Sequence, residues 1–222
     1  MNNIHDAPPY KQVPGLKPVI TDYLASLSTD IMNAIETYKK QAGSRAFSID
    51  QLQQQITASI GQEAVVVRAG YLSVEEDVTF GSPTKPVIDM ADGINTNKEV
   101  TLTVYGNLIL ENGLKGNTKL NVHVNRVNQS YGNLWAKSTI HLNNDSNVLV
   151  ADTLYAGVLT YNSGTLAVDA DQLIVQGDLS INTEVEMNIA GQMVLGGIVS
   201  NNLVANLNIK GVDLFVRDHG KQ

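Results

Sequence analysis

Residues 173–209 read LIVQGDLSINTEVEMNIAGQMVLGGIVSNNLVANLNI. Apolar side chains fall at every second position: Leu173, Val175, Leu179 and Ile181, then Val185, Met187 and Ile189, then Met193, Leu195 and Val199, then Leu203, Ala205, Leu207 and Ile209. A period of two is that of strands with one buried side. Gly177 and Gly197 hold the same place in successive units. Short alternating strands recurring every roughly 20 residues, with polar turns between them, predict a mainly β chain wound as a β-solenoid (β-helix). No single coil can bury its apolar side alone, so the coils must stack.

The same pattern extends outward to Glu99. Val100, Leu102, Val104, Leu108 and Leu110 alternate, as do Leu120, Val122 and Val124, then Ile140 and Leu142, Val148 and Val150, Leu166 and Val168. A glycine phrase marks the units: YGNL at 105–108 and 131–134, AGVL at 156–159, QGDL at 176–179 and GGIV at 196–199. Its glycines are Gly106, Gly132, Gly157, Gly177 and Gly197. The first two intervals are longer than the last two, which places longer turns in the early coils, at 112–119 and 143–147. Parity puts Gly106, Gly132, Gly177 and Gly197 on the inward side of their coils and leaves Gly157 ambiguous.

Upstream the period changes. Residues 1–16 hold three prolines and read as an extended lead-in. Ile20, Leu24, Leu27, Ile31, Ile35 and Tyr38 form one face of an amphipathic helix that ends near Gly43. A second helix opens on a Ser48–Gln51 capping box, carries Ile49, Leu52, Ile56 and Ile60, and stops at Gly61. Residues 17–62 are therefore an N-terminal α-helical module, 63–98 transitional strands, and 99–222 the solenoid domain. The apolar stripes of the module suit packing against each other or against the end of the β-region, or else a dimerisation or membrane-proximal helix that would give a small homo-oligomer.

The formal charge of −7 is opposed to non-specific nucleic-acid binding, and no cluster of Lys and Arg stands out. The absence of cysteine removes disulfides, zinc–thiolate sites and thiol catalysis. No stretch of about 20 apolar residues would span a bilayer, and no secretory signal follows Met1. Membrane attachment would need a segment that this sequence does not contain.

Few residues invite chemistry. Asp169 and Asp171 project to one side and could form a carboxylate pair, although a solvated outer row explains them as well. His123 and His141, about one coil apart, could bind a metal with Asp145 or Glu111. Asn143-Asn144-Asp145-Ser146-Asn147 is rich in oxygen but lacks the spacing of a calcium loop. Nucleotide-binding and hydrolase motifs are missing. No cofactor, metal or catalytic group is expected, and the reading is of a non-enzyme. The candidate partner-binding residues are aromatic: Tyr105, Tyr131, Trp135, Tyr155 and Tyr161. Stacked coils would place such rings in a ladder, either exposed to a glycan or protein partner or bracing coil against coil.

Phrases such as LIVQGDLSI and MVLGGIVSN over 99–216 resemble those of the bactofilins, which implies a polymer-forming cytoskeletal β-helix. The irregular early coils and the helical N-terminal region depart from that pattern. An N-terminal helix at 20–40 before a β-rich domain resembles, in organisation, bacterial type IV pilin-like surface proteins with a β-solenoid ectodomain. That resemblance implies a hydrophobic segment ahead of the given residues. It also implies an extracellular or cell-surface structural or adhesive role, with a cytoplasmic scaffold and a carbohydrate-active β-helix enzyme as alternatives.

Overall fold

The computed structural model describes residues 3–6, 46–47, 64–127, 132–201, 207–210 and 213–216. The two expected helices at 17–62 lie outside these residues, save for a short strand that falls between them.

Sixteen strands are described: β1 (Asn3–Asp6), β2 (Ala46–Phe47), β3 (Ala64–Val74), β4 (Val78–Phe80), β5 (Val87–Thr96), β6 (Val100–Gly116), β7 (Leu120–Asn125), β8 (Asn133–Leu142), β9 (Asn147–Tyr161), β10 (Thr165–Val175), β11 (Leu179–Ile181), β12 (Glu184–Ile189), β13 (Gln192–Leu195), β14 (Val199–Asn201), β15 (Leu207–Lys210) and β16 (Asp213–Val216). Every pair among them is parallel except β2 with β3. Parallel neighbours that follow one another at a near-regular chain interval are coils of a β-solenoid, and the fold is of that class.

The registers sort the strands into three faces. Face A stacks residues 78–80, 100–105, 120–125, 147–150, 165–170, 184–189 and 207–210. Face B stacks 64–68, 87–91, 106–110, 133–136, 153–156, 172–175, 192–195 and 213–216. Face C stacks 71–74, 93–96, 113–116, 139–142, 158–161, 179–181 and 199–201. The long strands bend from B to C and pair again beyond the bend, with a register shift there in each of three pairs. Parallel pairing also runs straight through residue 99, because β3 pairs β5 and β5 pairs β6. The expected boundary between transitional strands and solenoid therefore falls inside one continuous sheet.

The interior follows the sequence parity. Leu102, Val104, Leu108, Leu110, Leu114, Leu134, Ile140, Leu154, Leu173, Leu179, Ile181 and Met187 belong to one buried cluster. Aliphatic side chains dominate it because three inward rows leave little width for rings. Burial at roughly 25 cal/mol per Å2 of apolar surface is what holds the coils together.

The glycine phrase splits into two sets. Gly157, Gly177 and Gly197 stack at the corner from face B to face C, and the Gly177 amide donates to the Gly157 carbonyl at 2.7 Å. A Cβ on Gly177 would lie 2.8 Å from the Gly157 oxygen, and one on Gly197 would collide with the Gly177 carbonyl carbon. The neighbouring coil's backbone occupies that space, so Gly177 is a corner residue and not an inward one. Gly106 and Gly132 sit instead at the corner from A to B, where the Gly132 amide donates to Gly106 at 2.8 Å. Their φ angles of 141° and 106° suit glycine alone.

The long coil is also placed differently from expectation. Tyr105 pairs Asn125 but Asn107 pairs Asn133, so the extra residues lie at 126–131. Residues 113–116 are strand, and 143–147 form a tight corner with Asn144 and Asp145 at φ 53° and 48°.

Candidate functional site

Each face has more than one outward row; the central rows differ in chemistry, and on face B the neighbouring outward row is polar, with Asn107, Asn133, Thr153 and Gln172. On face A, the register aligns Thr103, His123, Leu149, Asp169, Asn188 and Lys210. On face C it aligns Ser73, Asn95, Lys115, His141, Thr160, Ser180 and Ser200. On face B it aligns Met90, Ile109, Trp135, Tyr155, Ile174, Val194 and Phe215. The face B row is apolar throughout, and every member is buried, from Ile174 at 0% exposure to Phe215 at 8%. None of these residues belongs to the interior cluster.

The four described aromatic candidates do not converge. Trp135 and Tyr155 lie on adjacent coils of face B and stack with ring centroids 3.6 Å apart and planes 2° from parallel. The Tyr155 hydroxyl donates to Gln176. Both rings are buried, at 4% and 2% exposure, and brace one coil against the next. Tyr161 is inward on face C and belongs to the core. Burial pushes its hydroxyl pKa up, and the nearby backbone at Ser146 and Asp145 offsets part of that shift. Tyr105 is half-buried on the outer side of face A. Tyr131 lies outside the described residues. The parity of Leu134–Ala136 and Leu154–Ala156 already turned Trp135 and Tyr155 outward; nothing in the sequence alone could show that their side is covered.

The acidic and histidine candidates are distributed likewise. His123 is on face A and His141 on face C, where its Nε2 lies 2.9 Å from Asn162 Nδ2. Glu111 pairs with Lys137 at 3.1 Å. Asp145 accepts the Thr165 amide at 2.7 Å. Among the described residues, no three His, Asp or Glu side chains converge as a metal site. The Asn-rich corner is explained by hydrogen bonds between coils. Asn143 donates to the Gly116 carbonyl at 3.0 Å, Asn147 to Asn121 at 2.8 Å, and Ser146 Oγ accepts the Leu120 amide at 3.1 Å. Asparagine stacked on asparagine satisfies one amide per coil, as Asn117 with Asn97 and Asn182 with Asn162 repeat.

Asp169 and Asp171 both border face A. They line an open groove of about 720 Å3 on face A with His123, Arg126, Leu149 and Asn188. Asn188 donates to Asp169 at 2.7 Å, and Arg126 is held by the Ala151 carbonyl at 2.9 Å beside Asp152 at 3.8 Å. Leu149 is 36% exposed between buried Val148 and Val150, an apolar residue at an outward position. That out-of-parity leucine was the sequence signal for the groove. The combination of a small apolar floor with two carboxylates, an imidazole and amides can hold a polar ligand through hydrogen bonds.

Comparisons with protein-family models, with curated proteins and with solved structures each return no match.

Proposed function

We propose that the chain is a non-enzymatic structural or adhesive module of a bacterial cell surface, in the manner of a pilin-like ectodomain, that offers the outer side of face A to a protein or glycan. The observation that carries this reading is the pairing of β1 with β16, Asn3 to Asp213 through Asp6 to Val216. The chain's own first strand occupies the edge of the last coil on face B, and the antiparallel β2 occupies the opposite edge at β3. A solenoid closed by its own strands on one face is built to stay finite. The groove around Leu149, with Tyr105 on the same face, is the surface that a partner would meet. Light scattering and electron microscopy at tens of micromolar should find monomers or small oligomers. Filaments joined end to end would overturn the closed-module reading. Turnover of pectin, chitin, alginate or peptidoglycan fragments that disappears in Asp169→Asn/Asp171→Asn would overturn the non-enzymatic one.

A polymer-forming, bactofilin-like scaffold is the second reading. It is favoured by Ile198 and Val199, which are 56% and 38% exposed at the end of face C, where Val199 continues the inward row of Leu179. At the other end, Leu72, Val74, Val78 and Phe80 line an open cavity with Glu75, Glu76 and Asp77. In this reading, Val199→Lys shortens the filaments.

A further inference from the structure

At its first described coil the solenoid is open. The face C strand of that coil, residues 71–74, pairs with 93–96, and its face A strand, β4, pairs with 102–104. Among the described residues neither has a second partner, whereas on face B the same coil is joined by β2. Between the two single-partnered strands lies a cavity of about 540 Å3 lined by Leu72, Val74, Val78 and Phe80. These residues belong to the interior or pack against it, so the cavity is the mouth of the solenoid's core. Leu72 and Val78 are only partly buried there. The corner that joins the two strands, Glu75-Glu76-Asp77, is exposed and rims the mouth with three carboxylates.

The other coils show what such an edge accepts. Inward residues stack aliphatic on aliphatic: on face C, Leu72, Ile94, Leu114, Ile140, Leu159 and Leu179 form one row. Adjacent coils also set acid against base, as Glu75 with Lys98 at 3.1 Å, Glu99 with Lys119 at 3.3 Å, Glu111 with Lys137 at 3.1 Å and Glu186 with Lys210 at 2.7 Å. The second coil brings one cation, Lys98, to the first corner, and Asp77 accepts the Thr101 amide at 2.7 Å. Three carboxylates beside one lysine leave negative charge in surplus at the mouth. Added strands are also an established feature of this fold, since β1 joins β16 in parallel from the far end of the chain.

We infer that the mouth docks an extended segment of a partner protein, added parallel to residues 71–74. Its alternate aliphatic side chains stack on Leu72 and Val74, and lysine or arginine follows them onto the Glu75–Asp77 corner. Strand addition of this kind draws affinity from main-chain hydrogen bonds and specificity from the alternate side chains. The basic end selects the partner: a second copy of a chain whose net charge is −7 is opposed by that charge, whereas a basic segment is attracted. The site lies apart from the groove around Leu149, so binding at either one can fail without the other.

The probe is a fluorescein-labelled peptide, Thr-Val-Thr-Ile-Lys-Lys-Lys, titrated with the full-length protein by fluorescence anisotropy at low salt. Two control peptides carry glutamate in place of the lysines, or serine in place of the valine and isoleucine. The probe should bind, and each control should bind at least about tenfold more weakly. Glu76→Lys, exposed and outside any strand, should weaken the probe by a similar factor and leave the melting temperature unchanged. Bound probe should slow amide hydrogen exchange within residues 71–80. Absence of binding, equal binding of either control, or protection at the Leu149 groove in place of 71–80 would overturn the proposal. So would self-association of the peptide-free protein that Glu76→Lys disperses, because the occupant would then be a second copy.

Discussion

The outer rows of faces A and B are built on the same backbone and pair with the same parallel register, yet their chemistry is opposite. Face A shows Thr103, His123, Leu149, Asp169 and Asn188 outward; face B shows Ile109, Trp135, Tyr155, Ile174 and Val194. Their inward rows are alike, with aliphatic side chains on both. The difference teaches that a solenoid wall has two independent surfaces. The inner one is fixed by the need to close the coil; the outer one records what each wall faces. A polar outer row signals solvent or a wet partner, and an apolar, buried one signals a dry cover.

The sharpest way to break the comparison is to place the same charge on both walls. Ile174→Asp would bury a carboxylate without a partner and should cost about 4 kcal/mol or more. Leu149→Asp, on face A, should change stability by no more than about 0.5 kcal/mol. Urea unfolding of the two variants checks this, and equal losses would mean that face B is not a covered wall.

Removing a ring comes next. Trp135→Ala deletes half of the stacked pair with Tyr155 and should cost about 3–5 kcal/mol by thermal or urea unfolding. His123→Ala, on face A, should fall within about 0.5 kcal/mol of the parent. A small loss at Trp135 would show that the stack contributes little beyond what water already provides.

A smaller effect belongs to the polar edge of the same row. Tyr155→Phe keeps the ring on Trp135 and removes the hydroxyl that donates to Gln176. The expected loss is about 0.5–1.5 kcal/mol, and a double-mutant cycle with Gln176→Ala should show coupling between the two positions.

The smallest effect is on face A, where Lys210 Nζ lies 2.7 Å from Glu186 in solvent. The Lys210 hydrogen bond and charge hold the Glu186 carboxyl below its ordinary pKa. A carboxylate whose folded pKa is depressed adds stability above its unfolded pKa, and that contribution fades as the pH falls through the folded value. NMR titration should find the Glu186 midpoint lowered and Lys210→Met should raise it to the ordinary range, while salt weakens the difference.

Much of this was legible in residues 99–216. Period-two alternation at Leu102–Val104 and Val185–Ile189 identified the inward row, because a strand repeats every two residues regardless of what surrounds it. Turn composition at 143–147 marked a turn, but the extra length expected there lies between Asn125 and Asn133. The grouping of glycines was not legible. The long interval from Gly106 to Gly132 comes from an insertion at 126–131, and that from Gly132 to Gly157 from a change of corner. No local preference marks either. The aromatic candidates divide for a related reason: Trp135 and Tyr155 stand on adjacent coils, as a ladder requires, but exposure is a property of a whole wall.

By itself, then, the chain determined that it coils, which side chains point inward, and that its first third carries an amphipathic stripe. Those properties follow from backbone periodicity and side-chain polarity, which act between near neighbours in sequence. Only the tertiary structure decided which residues share a corner, that His123 and His141 stand on different faces, and that Asn3–Asp6 closes the coil at Asp213–Val216. Those depend on register between strands a whole coil apart, and on one pairing between opposite ends of the chain, where the energy of stacking rather than any local preference selects the partner.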